Sequence, residues 1–215
     1  MFLRQLAIEL ASRGLGIDDV TRILNSQRSR GFTQEMFPEF LDAVRSYTSG
    51  SGDYSLVNGV LRGSYTPSRT EDLERARRLT ALMDEIMFRA PKLEEDMVTF
   101  RGIEAGPEVD TLLRLRPGQS FTDRGFGSTS MSQNIAGNFA GLNDEWDTPG
   151  ILMRITNPVG SSGLFPSAFR GPHQITDRYD ELEYILPRNT VYEITGTGNN
   201  FLDVVARFNA ARNKR

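Results

Sequence analysis

The run Asp180-Glu181-Leu182-Glu183-Tyr184-Ile185-Leu186-Pro187-Arg188 sets two glutamates one residue apart at the opening of a short apolar stretch closed by proline. An aromatic and two aliphatic residues in succession suit a buried strand. In an extended strand successive side chains face opposite ways, so Glu181 and Glu183 share a face, about 7 Å apart along the chain. Taken alone, the pair also fits a plain strand start with acidic residues on its wet face. Two stretches upstream weigh against that reading. Met97-Val98-Thr99-Phe100-Arg101-Gly102 is a β-prone segment that ends in an arginine just where a glycine frees the backbone. Gly125-Phe126-Gly127-Ser128-Thr129-Ser130 is a hydroxyl-rich strand followed at once by the helix-like Gln133 to Ala140.

Working outward, the chain after Pro91 consists of short β-prone runs broken by glycine and proline. Strands are expected over Met97–Arg101, Thr111–Arg116, Gly127–Met131, Gly150–Thr156, Glu183–Leu186, Thr190–Thr195 and Phe201–Ala206. The first ninety or so residues read as helical. Leu3, Leu6, Ala7, Leu10 and Ala11 recur at helical spacing with Gly14 as a stop, and Asp18 or Asp19 begins a short helix through Val20, Ile23 and Leu24. Phe37, Phe40, Leu41 and Val44 form a further stripe, and Ser49-Gly50-Ser51-Gly52-Asp53 reads as a loop. A longer helix is expected from Ser68, whose hydroxyl with Glu71 fits a capping box, through Leu73, Ala76, Leu79, Met83 and Ile86 to Phe88. The chain is therefore expected to be α+β, with a helical N-terminal segment over 1–92 and a mixed sheet or sandwich core over 93–215. Glu94-Glu95-Asp96 at the junction reads as a solvated linker.

Composition removes several chemistries. With no cysteine among 215 residues there is no disulfide, thiolate metal site or cysteine nucleophile. The single histidine, His173, sits in the loop-like Phe169 to Gln174, which argues against histidine-rich metal sites, and no metal is expected. A net charge of −3 argues against nucleic acid or an anionic membrane as partner, and the basic tail of Arg212, Lys214 and Arg215 reads as a solvated end. No apolar run approaches the roughly 18 residues of a membrane span. Met1 to Leu10 has charges within its apolar stretch, so the chain as given is expected to be cytosolic or exported without a cleaved signal.

In order along the chain stand Arg101, the Ser128-Thr129-Ser130 triplet and Glu181-x-Glu183. That order resembles the mono-ADP-ribosyltransferases of the arginine-serine-glutamate class, which includes many bacterial toxins and effectors. The resemblance covers Val98 to the C-terminal strands. It implies a catalytic core of the ADP-ribosyltransferase type, with NAD as co-substrate and a protein bearing an acceptor arginine as second substrate. Glu183 matches the catalytic glutamate, which accepts a hydrogen bond from a ribose hydroxyl. A fixed negative charge near that ribose stabilises the oxocarbenium-like state of glycosidic cleavage more than it stabilises the ground state. Glu181 matches the glutamate that positions and helps deprotonate a guanidinium acceptor, which is a poor nucleophile while cationic. Other acceptors are often served by glutamine at that position.

The same resemblance gives Arg101 the dinucleotide phosphate, for which a planar guanidinium fork is suited. Gly102 is matched to the nicotinamide carboxamide through its backbone, and Ser128 to a hydrogen bond that fixes Glu183. Thr129 is expected to face the core and Ser130 the site, and these residues with Phe139 complete the NAD-binding set. The loop Asn138–Pro149, with Trp146, is expected to close over the ligand. Arg170–Asp180 is expected to present the acceptor protein, with Tyr179, or the position of Arg178, as the aromatic contact. The helix from Ser68 to Phe88 is placed beside the cleft. A monomer is expected, acting as an effector or toxin moved into a host or target cell. No Gly-x-Gly-x-x-Gly follows a strand and opens a helix, so a Rossmann route to the dinucleotide is excluded. Two rivals use the same residues: an NAD glycohydrolase with water as acceptor, and an inactive transferase fold kept as a protein-binding module.

Overall fold

The computed structural model describes residues 38–49, 52–142, 150–166 and 182–208. The helices expected before Phe37, together with His173, Trp146, Arg178, Tyr179 and Glu181, lie outside the described residues. The first described element is α1 (Pro38–Thr48), whose stripe of Phe40, Leu41 and Val44 is extended by Tyr47, all buried. A second helix, α2 (Asp53–Arg62), occupies a stretch that sequence reasoning left unassigned after its Ser-Gly loop. Gly52 at its start (φ 87°) and Gly63 at its end (φ 75°) both take left-handed backbone, and Gly63 donates to the Val60 carbonyl at 3.2 Å. The long helix is α3 (Thr70–Arg89), which buries Ala76, Leu79, Met83, Ile86 and Met87. Its cap falls on Arg69 with no side-chain bond, so the Ser68 capping box is not formed. Glu71 and Asp72 in the first turn complement the helix dipole instead.

Six of the seven expected strands are present. They are β1 (Met97–Ile103), β3 (Gly127–Ser130), β4 (Ile151–Asn157), β5 (Glu183–Leu186), β6 (Thr190–Gly198) and β7 (Phe201–Arg207). The exception is Thr111–Arg116. There Pro107 at the first helical position opens α4 (Pro107–Leu112), and Val109 and Leu112, three apart, are buried as a helix requires. The remaining strand, β2 (Ser120–Asp123), was not expected. Among the described residues the strands form one mixed sheet of order β2-β6-β7-β4-β1-β3-β5, antiparallel throughout except for β4 beside β7. The fold is thus N-terminal helices followed by a mixed seven-stranded sheet.

Two large apolar clusters hold it, beside a small one of Phe100, Ala136 and Leu152. One packs Met153, Ile155, Tyr184, Leu186, Tyr192 and Val204 of the sheet with Val109 and Leu112 of α4. The other joins α1, α2 and α3 to Phe126, Leu164 and Ile185, so the helices are fixed to the sheet across the boundary at residue 92. A short helix, α5 (Gln133–Phe139), caps its own start through the Ser132 hydroxyl, which accepts from the Ile135 amide at 3.2 Å. α5 lies directly on β1 at Gly102. A Cβ there would stand 1.9 Å from the Ala136 carbonyl oxygen and 2.6 Å from the Ala140 nitrogen, both backbone. Gly102→Ala is therefore expected to lower stability by about 1–3 kcal/mol or more through overpacking, read as a lower urea midpoint with unchanged slope.

Candidate active site

β3 joins β1 through the single pair Phe100↔Ser130, whereas β1 is zippered to β4 over seven residues and β3 to β5 over four. Beyond that pair β1 and β3 part, and the gap is a cavity of about 410 Å3, within the usual roughly 300–1,000 Å3 of a ligand site. Phe100, Arg101 and Gly102 line it from β1, Ser128, Thr129 and Ser130 from β3, Ala136 and Phe139 from α5, and Glu183 from the first position of β5. The structure thus brings together Arg101, Gly102, Ser128, Thr129, Ser130, Phe139 and Glu183 as assigned from the sequence, while Glu181, Trp146, Arg178 and Tyr179 fall outside the described residues. The assigned positions come from β1, β3, α5 and β5, four separate stretches of the chain. Phe100, Ser130 and Glu183 are opposite one another across three strands.

Local geometry departs from the sequence reading at three points. Strict alternation does not extend through Leu182, which has φ 48° and so lies in the left-handed region, and the strand begins only at Glu183. The argument that Glu181 and Glu183 share a strand face therefore fails at that residue. The Ser128 hydroxyl is buried and has no hydrogen-bond partner, so the expected bond to Glu183 is not made. The register explains this: Ser128 stands opposite Ile185, not Glu183, and diagonal neighbours across a ladder are about 7–8 Å apart. The Thr129 and Ser130 hydroxyls are engaged within the fold. Thr129 donates to the Tyr184 carbonyl at 2.6 Å, and Ser130 accepts from the Ser132 amide at 2.9 Å.

Arg101 does not stand free. Its Nη1 donates to Asp123 Oδ2 at 2.6 Å, and the same carboxylate takes two bonds of 2.9 Å from Nε and Nη2 of Arg62. Burial opposes the charge on Arg101, but Asp123 outweighs it and holds the guanidinium above its ordinary range. Burial likewise opposes the charge on Asp123. Arg101 and Arg62 together reverse that and hold its carboxyl well below the usual carboxylate range. The cluster carries one positive charge in excess.

Sequence reasoning missed Arg62 and Asp123, along with the wall that α1 and α2 supply. Tyr47, Thr48, Ser49 and Tyr54 line the cavity, and α3, which was placed beside it, contributes none of the lining. Tyr47 accepts a hydrogen bond of 2.9 Å from Asn58, whose carbonyl accepts from the Phe126 amide at 2.8 Å. Burial, and to a smaller degree Tyr54 and Glu183, push the Tyr47 phenol upward, so it stays neutral beside the carboxylate. A signal for this wall was present: Tyr54, Asn58 and Arg62 recur every four residues between Gly52 and Gly63, one face of a helix with a glycine stop.

Among the described residues no helix is long and apolar enough to cross a membrane, and no group of three acidic or histidine side chains is placed to hold a metal. The model of the ADP-ribosyltransferase exoenzymes matches residues 25–208. Solved structures share the fold. The Vis toxin, an ADP-ribosyltransferase from Vibrio splendidus, in its complex with agmatine is 16% identical with a TM-score of 0.62, over 93% of this chain and 89% of that one. The Clostridium limosum C3 exoenzyme is 19% identical with a TM-score of 0.62, over 90% and 95%. Exoenzyme S from Pseudomonas aeruginosa, in complex with human 14-3-3 protein beta and bound to carba-NAD, is 15% identical with a TM-score of 0.56, over 87% of each chain. No curated protein matches the chain.

Asp123→Asn leaves the half-buried Arg62 and Arg101 guanidinium groups facing a neutral amide, a loss of about 3 kcal/mol by urea denaturation at neutral pH. Because the folded-state pKa of Asp123 is lowered, its contribution is complete above the ordinary value of 3.8 and is lost as pH falls below it. The wild-type protein is expected to lose stability over that acid range more steeply than the variant.

Proposed function

This chain belongs to the ADP-ribosyltransferase exoenzyme family, and on that premise we propose that it transfers ADP-ribose from NAD to an arginine of a target protein, as an effector or toxin. The family uses NAD, and one relative of the same fold is bound to carba-NAD. The observation that carries the reading is the meeting of Glu183, Arg101 and the unpartnered buried hydroxyl of Ser128 in one cavity. A buried hydroxyl without a partner costs free energy that a bound polar ligand recovers. A dinucleotide fits that donor set. The surplus positive charge of the Arg62–Asp123–Arg101 cluster suits its phosphates, and the carboxylate of Glu183 suits the positive charge that develops on the ribose.

NAD supplies a glycosidic bond whose nicotinamide leaving group is already cationic, so no general acid is required. Glu183 holds the ribose by a hydroxyl and stabilises positive charge at the anomeric carbon as that bond breaks and nicotinamide departs with the electron pair. Arg101, fixed by Asp123, anchors the phosphate end, and Phe139 closes the side of the cavity formed by α5. Glu181 takes a proton from the incoming guanidinium, whose nitrogen forms the new bond to the anomeric carbon. Glutamate at this position favours arginine as acceptor. Agmatine, a small guanidino compound, is held by the Vis toxin of the same fold, which supports the same class of acceptor.

Glu183→Gln is expected to leave folding and NAD binding intact while lowering nicotinamide release by about two to three orders of magnitude. Near-normal release in that variant would remove Glu183 from catalysis. Glu181→Gln is expected to spare slow NAD hydrolysis and abolish transfer to agmatine. Release in the wild-type protein that is indifferent to agmatine points to a glycohydrolase or another acceptor, and absence of release under both conditions to a binding module.

A further inference from the structure

Glu183 opens a strand that its own ladder holds weakly. β5 has four residues, lies at the edge of the sheet and pairs with a strand, β3, of the same length. On its outer side it has the isolated bridge of Ile185 to Leu164, with bonds of 2.8 and 3.0 Å. The strand is bracketed by two residues in left-handed backbone, Leu182 (φ 48°) and Asn189 (φ 62°). Such a conformation is costly for leucine and persists only where the surroundings impose it. A short edge strand between two such residues opens readily unless something outside the sheet fixes it.

The helical layer provides that fixture. Nε of Arg188, in the turn that leaves β5, donates to both carboxylate oxygens of Asp84 at 2.9 Å, and its Nη2 lies 2.8 Å from Oδ2. The two side chains are only 18% and 21% exposed, so water screens the pair weakly. Asp84 neighbours Met83 on α3, and Met83, Ile86 and Met87 pack in the same cluster as Ile185 and Leu164. The ion pair therefore joins α3 and the end of β5 beside an apolar cluster to which both contribute. The turn itself is pinned by the Thr190 hydroxyl, which donates to the Pro187 carbonyl at 2.6 Å. None of these groups lines the cavity.

We propose that Asp84 and Arg188 are positioning residues: their forked ion pair fixes β5 against α3 and thereby sets Glu183 at the cavity for transfer. The inference rests on the catalytic role given to Glu183 above. It is tested with Arg188→Gln and with the charge-free double variant Asp84→Asn/Arg188→Gln, which leaves no lone charge at the contact and keeps the test valid if the single variant fails to fold. Amide hydrogen exchange at Tyr184, Ile185 and Leu186 is expected to quicken by about tenfold or more, while the β4 and β7 amides stay protected. In the same variants kcat for NAD cleavage is expected to fall about ten- to a hundredfold, with KM for NAD held within about twofold, since a misplaced carboxylate costs turnover rather than phosphate binding. Arg188→Lys, which keeps the charge but loses the fork, is expected between these and the wild type. Unchanged exchange in β5 and unchanged kcat in a folded variant overturn the proposal, as does a lower melting temperature with kcat intact. If exchange quickens but wild-type turnover is indifferent to Glu183→Gln, the anchoring stands and the catalytic role of Glu183 falls.

Discussion

Asp123 is a carboxylate almost wholly withdrawn from water and shared by two guanidinium groups, and the arrangement of the whole site hangs on it. Its partners come from opposite layers: Arg62 from the last turn of α2, Arg101 from the middle of β1. The Gly125 amide donates to the same carboxylate at 2.9 Å, which shapes the turn between β2 and β3. A buried carboxylate is tolerable only when its acceptor capacity is met by charge and hydrogen bonds together. Helix, strand and turn must therefore arrive together. Four residues before Arg62 on the same helix face, Asn58 repeats the device with neutral groups, holding Phe126 and Tyr47.

This constraint determines what is left over for a ligand. Arg101 and Arg62 outnumber the one carboxylate between them, so their anchoring does not cancel the positive field they present. On β3 the hydroxyls divide by task, Thr129 bound to its neighbouring strand and Ser130 to the turn into α5. That leaves Ser128 as the buried hydroxyl without a protein partner. A strand of hydroxyl residues is costly to bury unless each finds a partner. The one exception faces the cavity.

The stranded half was legible in the sequence because its signals are local. Short apolar runs bounded by Gly and Pro gave the strands, and the ordered Arg101, Ser128 and Glu183 needed only correct strand assignment to converge. Failures occurred where tertiary contacts override local pattern. Thr111–Arg116 has strand-like alternation, but Pro107 and the burial of Val109 and Leu112 make its first part helical. Leu182 sits in an apolar run and yet takes a left-handed backbone that no periodicity predicts for leucine. Arg62 and Asp123 are 61 positions apart, and nothing in either neighbourhood announces the other.

The loop expected over Ser49–Asp53 gives way to α2 at Gly52. The left-handed backbone of that glycine stands directly at the start of the helix. Tyr47 of α1 and Tyr54 of α2 meet edge to face, with ring centroids 5.6 Å apart, and both line the cavity. Among the described residues α1, α2 and α3 precede the sheet in the chain, while the cavity takes its walls from both. The helical segment supplies aromatic surface and one of the two guanidinium groups, and the sheet supplies the other guanidinium, the hydroxyl and the carboxylate. Neither half contains a site alone.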